Sequence, residues 1–218
     1  MNNNTRFWDR VAGIYDIFVN VINAKTHRRL CDEITRLIEP TDIVLECACG
    51  TGMLTKVIAP QCTKLIATDF STKMLQRTKK KCKNFTNIDF RTDDITSLDF
   101  ETDSFDKVVA GNVIHLLQYP RKALREMERV CRPGGKLIVP TYIVTSKQEK
   151  ITRIYGKMGA GFKNKFTSAS YEQFFIDSGY INVEFINAEG KIPCSIAVIE
   201  KKEKNDNETC KYAVVCRV

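Results

Sequence analysis

Apolar segments alternate with short polar turns between residues 42 and 142 of this chain. Short apolar runs, several of them rich in Val and Ile, predict buried β-strands at 43–47, 64–69, 88–92, 105–111 and 136–142. One-sided apolar stripes between these runs predict helices near 53–59, 72–83 and 120–131. Strands that alternate with helices are typical of a parallel, doubly wound sheet.

The segments that flank this region are patterned as well. Residues 5–38 are predicted to be helical, and Pro40 ends that helical stretch. Residues 143–166 are polar and rich in Gly and Lys, which indicates a small helical insertion or a cover. For these two segments the pattern of apolar and polar positions indicates the least about structure.

The C-terminal part predicts one more helix and a hairpin. The helix begins at Ser168 and ends at Gly179, a residue type that is favoured at helix C-termini. Extended runs follow at 180–187 and 193–200. The predicted fold class is therefore α/β, with a doubly wound, Rossmann-like, mostly parallel seven-stranded sheet, helices on both faces and a C-terminal antiparallel hairpin strand.

The length of 218 residues fits a single domain with a full core. We expect no boundary between independent domains inside the chain. The predicted parts are an N-terminal helical lid, a central core, an insertion or cover, a helix with a hairpin, and a tail, at 1–40, 41–142, 143–166, 167–201 and 202–218.

Residues suited to ligand binding follow the predicted strands. The first strand ends on Glu46 and enters a turn that contains Gly50 and Gly52. A glycine turn between a strand and a helix lets the backbone approach a ligand closely. Asp69 closes the second strand about 20 residues after Gly50, where an acid typically accepts hydrogen bonds from ribose hydroxyls.

Two further strand ends extend this pattern. Asp94 follows the third strand and can accept from an exocyclic amine, while the Ile95 amide can donate to a ring nitrogen, and together these contacts read adenine. Gly111 and Asn112 follow the fourth strand and would line the floor beneath a cofactor. The Glu46 carboxylate suits hydroxyls or a cation better than a pyrophosphate. The pattern therefore favours a positively charged, ribose-bearing cofactor over a dinucleotide.

Five sequence motifs, in order, resemble those of the class I S-adenosylmethionine-dependent methyltransferases, and most closely the small-molecule branch that includes quinone-biosynthesis enzymes (methyltransferase type 11). The N-terminal segment Phe-Trp-Asp-Arg-Val-Ala-Gly-Ile-Tyr-Asp, residues 7–16, resembles that branch as well. The motif at 45–52 reads Leu-Glu-Cys-Ala-Cys-Gly-Thr-Gly. The other four lie at 68–75, 94–98, 104–109 and 132–137.

The resemblance implies an enzyme that moves a methyl group from S-adenosyl-L-methionine to a small-molecule acceptor by in-line displacement. It also implies residue roles: the glycine turn would contact the methionine part, Glu46 its ammonium end, and Asp69 the ribose. Phe70 would lie beside adenine, and Tyr15 in the helical lid would cover the site. The complete predicted cofactor-binding set is Tyr15, Glu46, Ala48, Gly50, Gly52, Asp69, Phe70, Met74, Asp94, Ile95 and Asn112.

Two positions depart from the pattern of this family. Ala48 stands where the family often has glycine, and we expect the turn to form there with a negative φ. Asp93 stands where glycine is common before the acid that reads adenine. Asp93 and Asp94 therefore both remain candidates for that contact, and the spacing to Leu98 favours Asp94.

The sequence assigns no catalytic residue. The leaving group of a sulfonium departs neutral, so alignment of the reactants supplies most of the catalysis. A base is needed only if the acceptor must lose a proton. Candidates for contact with the acceptor are Tyr15, His115 and Tyr142, whereas His27 lies among basic residues and is expected at the surface.

Charge and composition exclude several partners. The net charge of +8 is spread along the chain, which favours solvated surfaces and makes a nucleic-acid partner unlikely. The nine cysteines lack zinc-ligand spacing, so we expect reduced thiols and no metal site. No apolar run approaches the about 20 residues that span a bilayer. We therefore expect no membrane span and a cytoplasmic protein, while the oligomeric state is not predicted.

Three other functions remain open at this point. The first is a methyltransferase that acts on RNA or protein, although residues 111–114 lack the Asn/Asp-Pro-Pro-Tyr/Phe motif of base-amine methyltransferases. The second is a NAD-dependent oxidoreductase, whose glycine fingerprint would require glycine in place of Thr55. The third is a non-catalytic protein that binds S-adenosylmethionine.

Overall fold

The computed structural model describes residues 23–144 and 164–202. The described strands are β1 Ile43–Cys47, β2 Lys64–Thr68, β3 Ile88–Arg91, β4 Phe105–Ala110, β5 Cys131–Tyr142, β6 Val183–Ala188 and β7 Cys194–Glu200. The described α-helices are α1 Ala24–Leu37, α2 Thr55–Ile58, α3 Thr72–Lys81, α4 Pro120–Val130 and α5 Ser168–Ile176, with 3₁₀ turns at Ala59–Gln61 and Ile114–Leu116.

The seven described strands form one sheet in the order β3-β2-β1-β4-β5-β7-β6. The first five pair in parallel, and β7 inserts antiparallel between β5 and β6. This arrangement confirms the predicted fold class. The strand order reverses between β1 and β4, and in open α/β sheets ligands bind outside the carboxyl ends of the strands at such a reversal.

Hydrophobic side chains cover both faces of the sheet, as a parallel sheet requires. Strand β4 lies at the centre and is buried at every position. On one face Val108 and Leu137 pack in a cluster with Met127 of α4. On the other face Val44 packs in a second cluster that includes Ile34 of α1. The carboxyl edge of the central strands is thus held between two filled layers.

Helix α1 is fixed to the sheet by its apolar stripe and by one clamp at its start. Leu30 and Ile34 are fully buried on this stripe. Asn23 precedes the helix, and its side chain both donates to the Ile192 carbonyl at 2.9 Å and accepts from the Ile192 amide at 3.0 Å. The first turn of α1 is therefore anchored to the loop between β6 and β7.

The fifth strand is longer than its apolar pattern predicts. It begins at Cys131 and includes the Pro133-Gly134-Gly135 segment that reads as a turn in the sequence. A shift in the β4–β5 register between Phe105 and Lys107 accommodates this segment. A Cβ atom on Gly135 would lie 2.7 Å from the Asp106 carbonyl oxygen, so only glycine fits there.

Part of the predicted organisation lies outside the described residues. This holds for the lid before residue 23, together with Tyr15, for most of the 143–166 insertion, and for the tail beyond residue 202. The division of the chain into these parts stays a prediction. No helix in the described ranges is long and apolar enough to cross a membrane.

Candidate active site

The turn after β1 adopts a left-handed backbone at three positions. Ala48 has φ 55°, Gly50 has φ 56° and Gly52 has φ 83°. The expectation of a negative φ at Ala48 is therefore wrong, and the alanine side chain carries a cost of roughly 1–2 kcal/mol there. The turn is tied to the next strand because the Cys49 amide donates to the Thr68 carbonyl at 2.8 Å.

The two glycines of this turn serve different purposes. A Cβ atom on Gly50 would meet only the Ala48 carbonyl oxygen at 4.0 Å, so Gly50 faces open space. A Cβ atom on Gly52 would lie 2.8 Å from Cγ2 of Thr78 in α3. Thr78 also donates its hydroxyl to the Gly50 carbonyl at 2.7 Å. Gly50 thus opens the turn to a ligand, whereas Gly52 permits the close packing of α3.

Asp69 closes β2 and is the charged centre of the site. It is buried, and its Oδ2 accepts from the Gly50 amide at 2.9 Å while its Oδ1 accepts from the Ser71 amide at 2.8 Å. Ser71 in turn caps α3 by accepting from the Met74 amide at 3.2 Å. The two backbone amides therefore hold the Asp69 carboxylate in a fixed orientation.

A cavity opens beside this carboxylate at the carboxyl ends of β1, β2 and β4. It encloses about 620 Å³ of empty space including its opening to solvent. Six predicted cofactor residues line it, namely Ala48, Gly50, Asp69, Phe70, Met74 and Asn112. Gly111, which was expected beneath the cofactor together with Asn112, lines the cavity as well, whereas the three lining residues Val113, Leu116 and Leu117 were not predicted. The run of apolar residues after β4 was the signal that could have identified them.

Asn112 contributes an unsatisfied donor to the cavity wall. Its backbone has φ 53°, and its backbone amide donates to the Pro140 carbonyl at 2.9 Å. Its Oδ1 accepts from the Cys194 thiol at 3.6 Å, while its buried Nδ2 has no hydrogen-bond partner in the described part of the chain. An unmade bond on a buried donor costs about 1–3 kcal/mol. A ligand with an acceptor oxygen would remove that cost.

Glu46 lies beneath the turn and does not line the cavity. Its Oε2 accepts from the Thr55 hydroxyl at 2.7 Å. Burial raises the pKa of Glu46 to about 8, and the bond from Thr55 opposes this shift only in part. The carboxyl is therefore mostly protonated at neutral pH. A bound cation nearby would favour its ionised form.

The side chains of the two acids after β3 accept hydrogen bonds from backbone amides of their own turn. Asp93 accepts from the Asp94 amide at 2.8 Å and from the Asp99 amide at 3.2 Å, and its partial burial raises its pKa. Asp94 is exposed and accepts from the Thr96 amide at 2.8 Å. Ile95 is buried. None of these residues lines the cavity, so the adenine-reading role of Asp94 and Ile95 stays a prediction.

Four polar side chains near the end of β5 form a buried group. Tyr142 is 6% exposed, and its hydroxyl lies 2.6 Å from Nε2 of His27. The ring of His115 packs edge-on against Tyr142 at 5.8 Å between centroids, and its Nδ1 lies 2.9 Å from the Thr141 hydroxyl. Burial lowers the pKa of His115 to about 3, so this imidazole is neutral.

The expected surface position of His27 is wrong. The residue is only 4% exposed, because the first turn of α1 packs over the end of β5. His27 lies on the same helical stripe as Leu30 and Ile34, and this spacing was the signal that placed it on the buried face. The basic residues around His27 had favoured a position at the surface.

The described residues offer no obvious metal centre. Within 23–144 and 164–202, no group of three His, Cys, Asp or Glu side chains is arranged to hold a metal ion. The seven cysteines of these ranges are free thiols.

Comparisons with known proteins agree with this geometry. The model of the family described as "Methyltransferase domain" matches residues 45–139, which run from β1 into β5. Demethylmenaquinone methyltransferase of Renibacterium salmoninarum is 36% identical over 138 residues, which cover 62% of this chain and 56% of that protein. Demethylmenaquinone methyltransferase of Staphylococcus aureus is 26% identical over 205 residues, which cover 82% and 85%.

A solved structure extends the comparison to the fold. A Methanococcus maripaludis protein assigned to the S-adenosyl-L-methionine-dependent methyltransferases superposes with a TM-score of 0.70 at 19% identity, covering 91% of this chain and 95% of that one. The chain matches little more than half the length of the first curated relative. The matched segment nevertheless contains the turn, Asp69 and the cavity-lining residues after β4. Residues 45–139 thus match the family of methyltransferase domains, in agreement with the resemblance of the motifs in this segment.

Proposed function

We propose that this protein transfers a methyl group from S-adenosyl-L-methionine to a small, quinone-like acceptor. The observation that carries the proposal is the cavity at the reversal of strand order, with Asp69 held by two backbone amides at its edge. A rigid carboxylate beside an open glycine turn suits a ribose diol. The exposed ring of Phe70, at 38%, offers an apolar face beside it.

The residues present fit the proposed cofactor in three respects. Gly50 leaves open space along the turn, Asp69 supplies a fixed acceptor, and the Nδ2 of Asn112 supplies a donor in need of an acceptor oxygen. When bound, the cofactor supplies an electrophilic methyl group on a positively charged sulfur. Glu46, at the base of the turn, would ionise in response to that charge and stabilise it.

The apolar part of the cavity supports a small acceptor. Val113, Leu116 and Leu117 line this side and offer little to a polar polymer. The curated relatives are named for demethylmenaquinone, a quinone. A planar, apolar ring with few polar groups is the acceptor class that both observations favour. The RNA and protein alternatives lack a comparable observation.

The cofactor is tested by calorimetry. We expect S-adenosylmethionine and S-adenosylhomocysteine to bind and NAD to give no heat. The matched variant is Asp69→Asn, which keeps the size of the side chain but loses its charge, and it should weaken both ligands. Binding of NAD without binding of S-adenosylhomocysteine would overturn the proposal in favour of an oxidoreductase.

The acceptor is tested by transfer of a labelled methyl group. Reduced demethylmenaquinone in detergent is the first probe, and total RNA and a protein extract are offered in parallel. Label in the quinone fraction supports the proposal. Label confined to RNA or protein would replace the acceptor class, and cofactor binding with no transfer to any of the three would favour the non-catalytic alternative.

A reducing compartment is consistent with the free thiols of the described residues. We therefore place the reaction in the cytoplasm as part of this proposal. Exposure of the purified protein to an oxidant, followed by a thiol count, would test whether activity depends on reduced cysteines.

A further inference from the structure

We infer that Tyr142 and His27 act together as the proton acceptor of this site, and that the methyl acceptor is therefore one that gives up a hydroxyl proton. This inference depends on the proposed methyl transfer. It gives a catalytic function to His27, for which a surface position was expected. It also narrows the acceptor class to phenol-like or hydroquinol-like molecules.

The position of Tyr142 places the pair behind the wall of the cavity, and neither Tyr142 nor His27 is one of the lining residues. Tyr142 is the last residue of β5, at the same carboxyl edge where β4 ends. The cavity residue Asn112 is bonded to this strand through Pro140 at 2.9 Å and contacts Cys194, which pairs directly with Tyr142. His115, whose ring packs on Tyr142, lies between the lining residues Val113 and Leu116.

The geometry of the pair favours proton transfer between its two members. The hydroxyl oxygen and Nε2 of His27 are 2.6 Å apart, and both side chains are buried. A hydrogen bond in a low-dielectric environment is electrostatically stronger than one in water. A tyrosine hydroxyl that donates to a neutral imidazole can take up a proton as it passes its own proton on.

The neighbouring histidine has a different role. Desolvation lowers the pKa of His115 to about 3, which makes its imidazole a poor proton acceptor. Its bond to Thr141 fixes its ring against the ring of Tyr142. His115 is therefore a positioning residue, which holds the phenol in place between two imidazoles.

The chemical step balances with these two residues. The acceptor hydroxyl loses its proton to the oxygen of Tyr142 while the Tyr142 proton moves to Nε2 of His27. The electron pair released into the ring of the acceptor forms a bond from the ring carbon beside this oxygen to the methyl carbon, and the carbon–sulfur bond breaks with its electrons on sulfur. The hydrogen of that ring carbon then moves to the oxygen, which restores the aromatic hydroquinol. The cationic charge thus passes from the sulfonium to the imidazolium of His27, which later releases the proton to solvent.

A purely structural role explains the pair less well. The His27–Tyr142 bond also joins α1 to β5, but α1 is already held by Leu30, Ile34 and the two bonds between Asn23 and Ile192. A buried polar pair costs desolvation that an apolar pair at the same place would avoid. A function in proton transfer next to the cavity would explain why a polar pair is kept there despite the cost of its desolvation.

The first test needs no acceptor and reads the proton directly. The protein contains only two histidines, so ¹⁵N-histidine labelling reports on His27 and His115 alone. At neutral pH we expect Nε2 of His27 to be unprotonated and Nδ1 to carry the hydrogen. Tyr142→Phe should move the His27 Nε2 signal and leave that of His115 nearly unchanged. A protonated Nε2 on His27, in the other tautomer or as imidazolium, would overturn the inference.

The second test separates chemistry from folding. Tyr142→Phe keeps the ring and should lower kcat about 100-fold with reduced demethylmenaquinone, while the Kd for S-adenosylhomocysteine changes less than about twofold. His27→Gln should lower kcat similarly. The matched control is Tyr171→Phe, because Tyr171 is equally buried and its hydroxyl donates to Val139 of the same strand at 2.5 Å.

The Tyr171→Phe control shows whether a loss of kcat reflects the chemical step or a loss of folded protein. Tyr171→Phe should lower the melting temperature but keep kcat per folded molecule. If Tyr142→Phe keeps kcat within about threefold of the parent, or if both tyrosine variants lose kcat in step with stability, the inference fails while the proposed methyl transfer stands. Loss of S-adenosylhomocysteine binding in the parent protein would instead defeat the proposed function itself.

Discussion

The two sides of the site are built in different ways. On the cofactor side, Asp69 is bonded to Gly50, 19 positions earlier in the chain, through a backbone amide. On the proposed acceptor side, His27 meets Tyr142 across 115 positions through two side chains. The cofactor side is therefore a local feature of two adjacent βα units. The acceptor side exists only because α1, β5 and β7 pack together.

This difference has consequences for what a substitution disturbs. A local site made from backbone amides tolerates changes in distant packing, since its geometry is set by the turn itself. A site made from side chains of distant elements depends on every anchor that aligns those elements. Substitutions should therefore divide into those that change cofactor affinity alone and those that change turnover and stability.

The largest expected effect on ligand affinity is on the cofactor side. Asp69→Ala removes the acceptor for two buried amides and the proposed contact to ribose, so we expect the affinity for S-adenosylmethionine to fall about 100-fold, near 2.7 kcal/mol. Calorimetry measures this. A loss of less than about threefold would mean that the carboxylate serves the turn and not the ligand.

The next effect concerns Glu46 and pH. Its pKa of about 8 in the folded protein exceeds its unfolded value, so the unfolded chain loses this proton first as pH rises. Stability should therefore decrease between about pH 4.5 and pH 8. Glu46→Gln keeps an acceptor for Thr55 and removes this dependence, so the variant should be about 2–4 kcal/mol more stable than the parent at pH 8.

Urea denaturation at several pH values checks this prediction. The variant and its parent should have similar free energies of unfolding at pH 4.5 and should diverge as pH rises. Curves that stay parallel from pH 4.5 to pH 8 would contradict the raised pKa.

A smaller effect is expected at the anchor of the acceptor side. Asn23→Ala leaves the amide and carbonyl of Ile192 without their partner and should cost about 2 kcal/mol of stability. Because α1 carries His27, kcat should fall as well, whereas the Kd for S-adenosylhomocysteine should not change. Equal losses in affinity and turnover would show that the two sides are not separable.

The smallest effect is expected at Ala48. Replacement by glycine relieves the left-handed backbone strain, and part of this gain is lost to the greater entropy of the unfolded glycine chain. We expect Ala48→Gly to stabilise the protein by about 0.5 kcal/mol, measured by thermal unfolding. A destabilised variant would mean that the methyl group of Ala48 makes packing contacts that outweigh the strain.

Local pattern was sufficient for most of the sheet and for much of the cofactor side. The five parallel strands and seven of the cavity-lining residues follow from apolar runs, strand ends and motif spacing, all of which act over short stretches of chain. The backbone at Ala48 did not follow, because the sign of φ depends on how the turn must reach both Thr68 and Asp69.

The sequence by itself determined the fold class, the resemblance to methyltransferases and the acids at the strand ends, because periodicity and short motifs encode local geometry. Only the tertiary structure decided that Gly52 packs against Thr78, that Glu46 is buried with a raised pKa, and that His27 meets Tyr142. The reason is physical: burial and long-range hydrogen bonds depend on which elements the folded chain brings together, and no short segment carries that information.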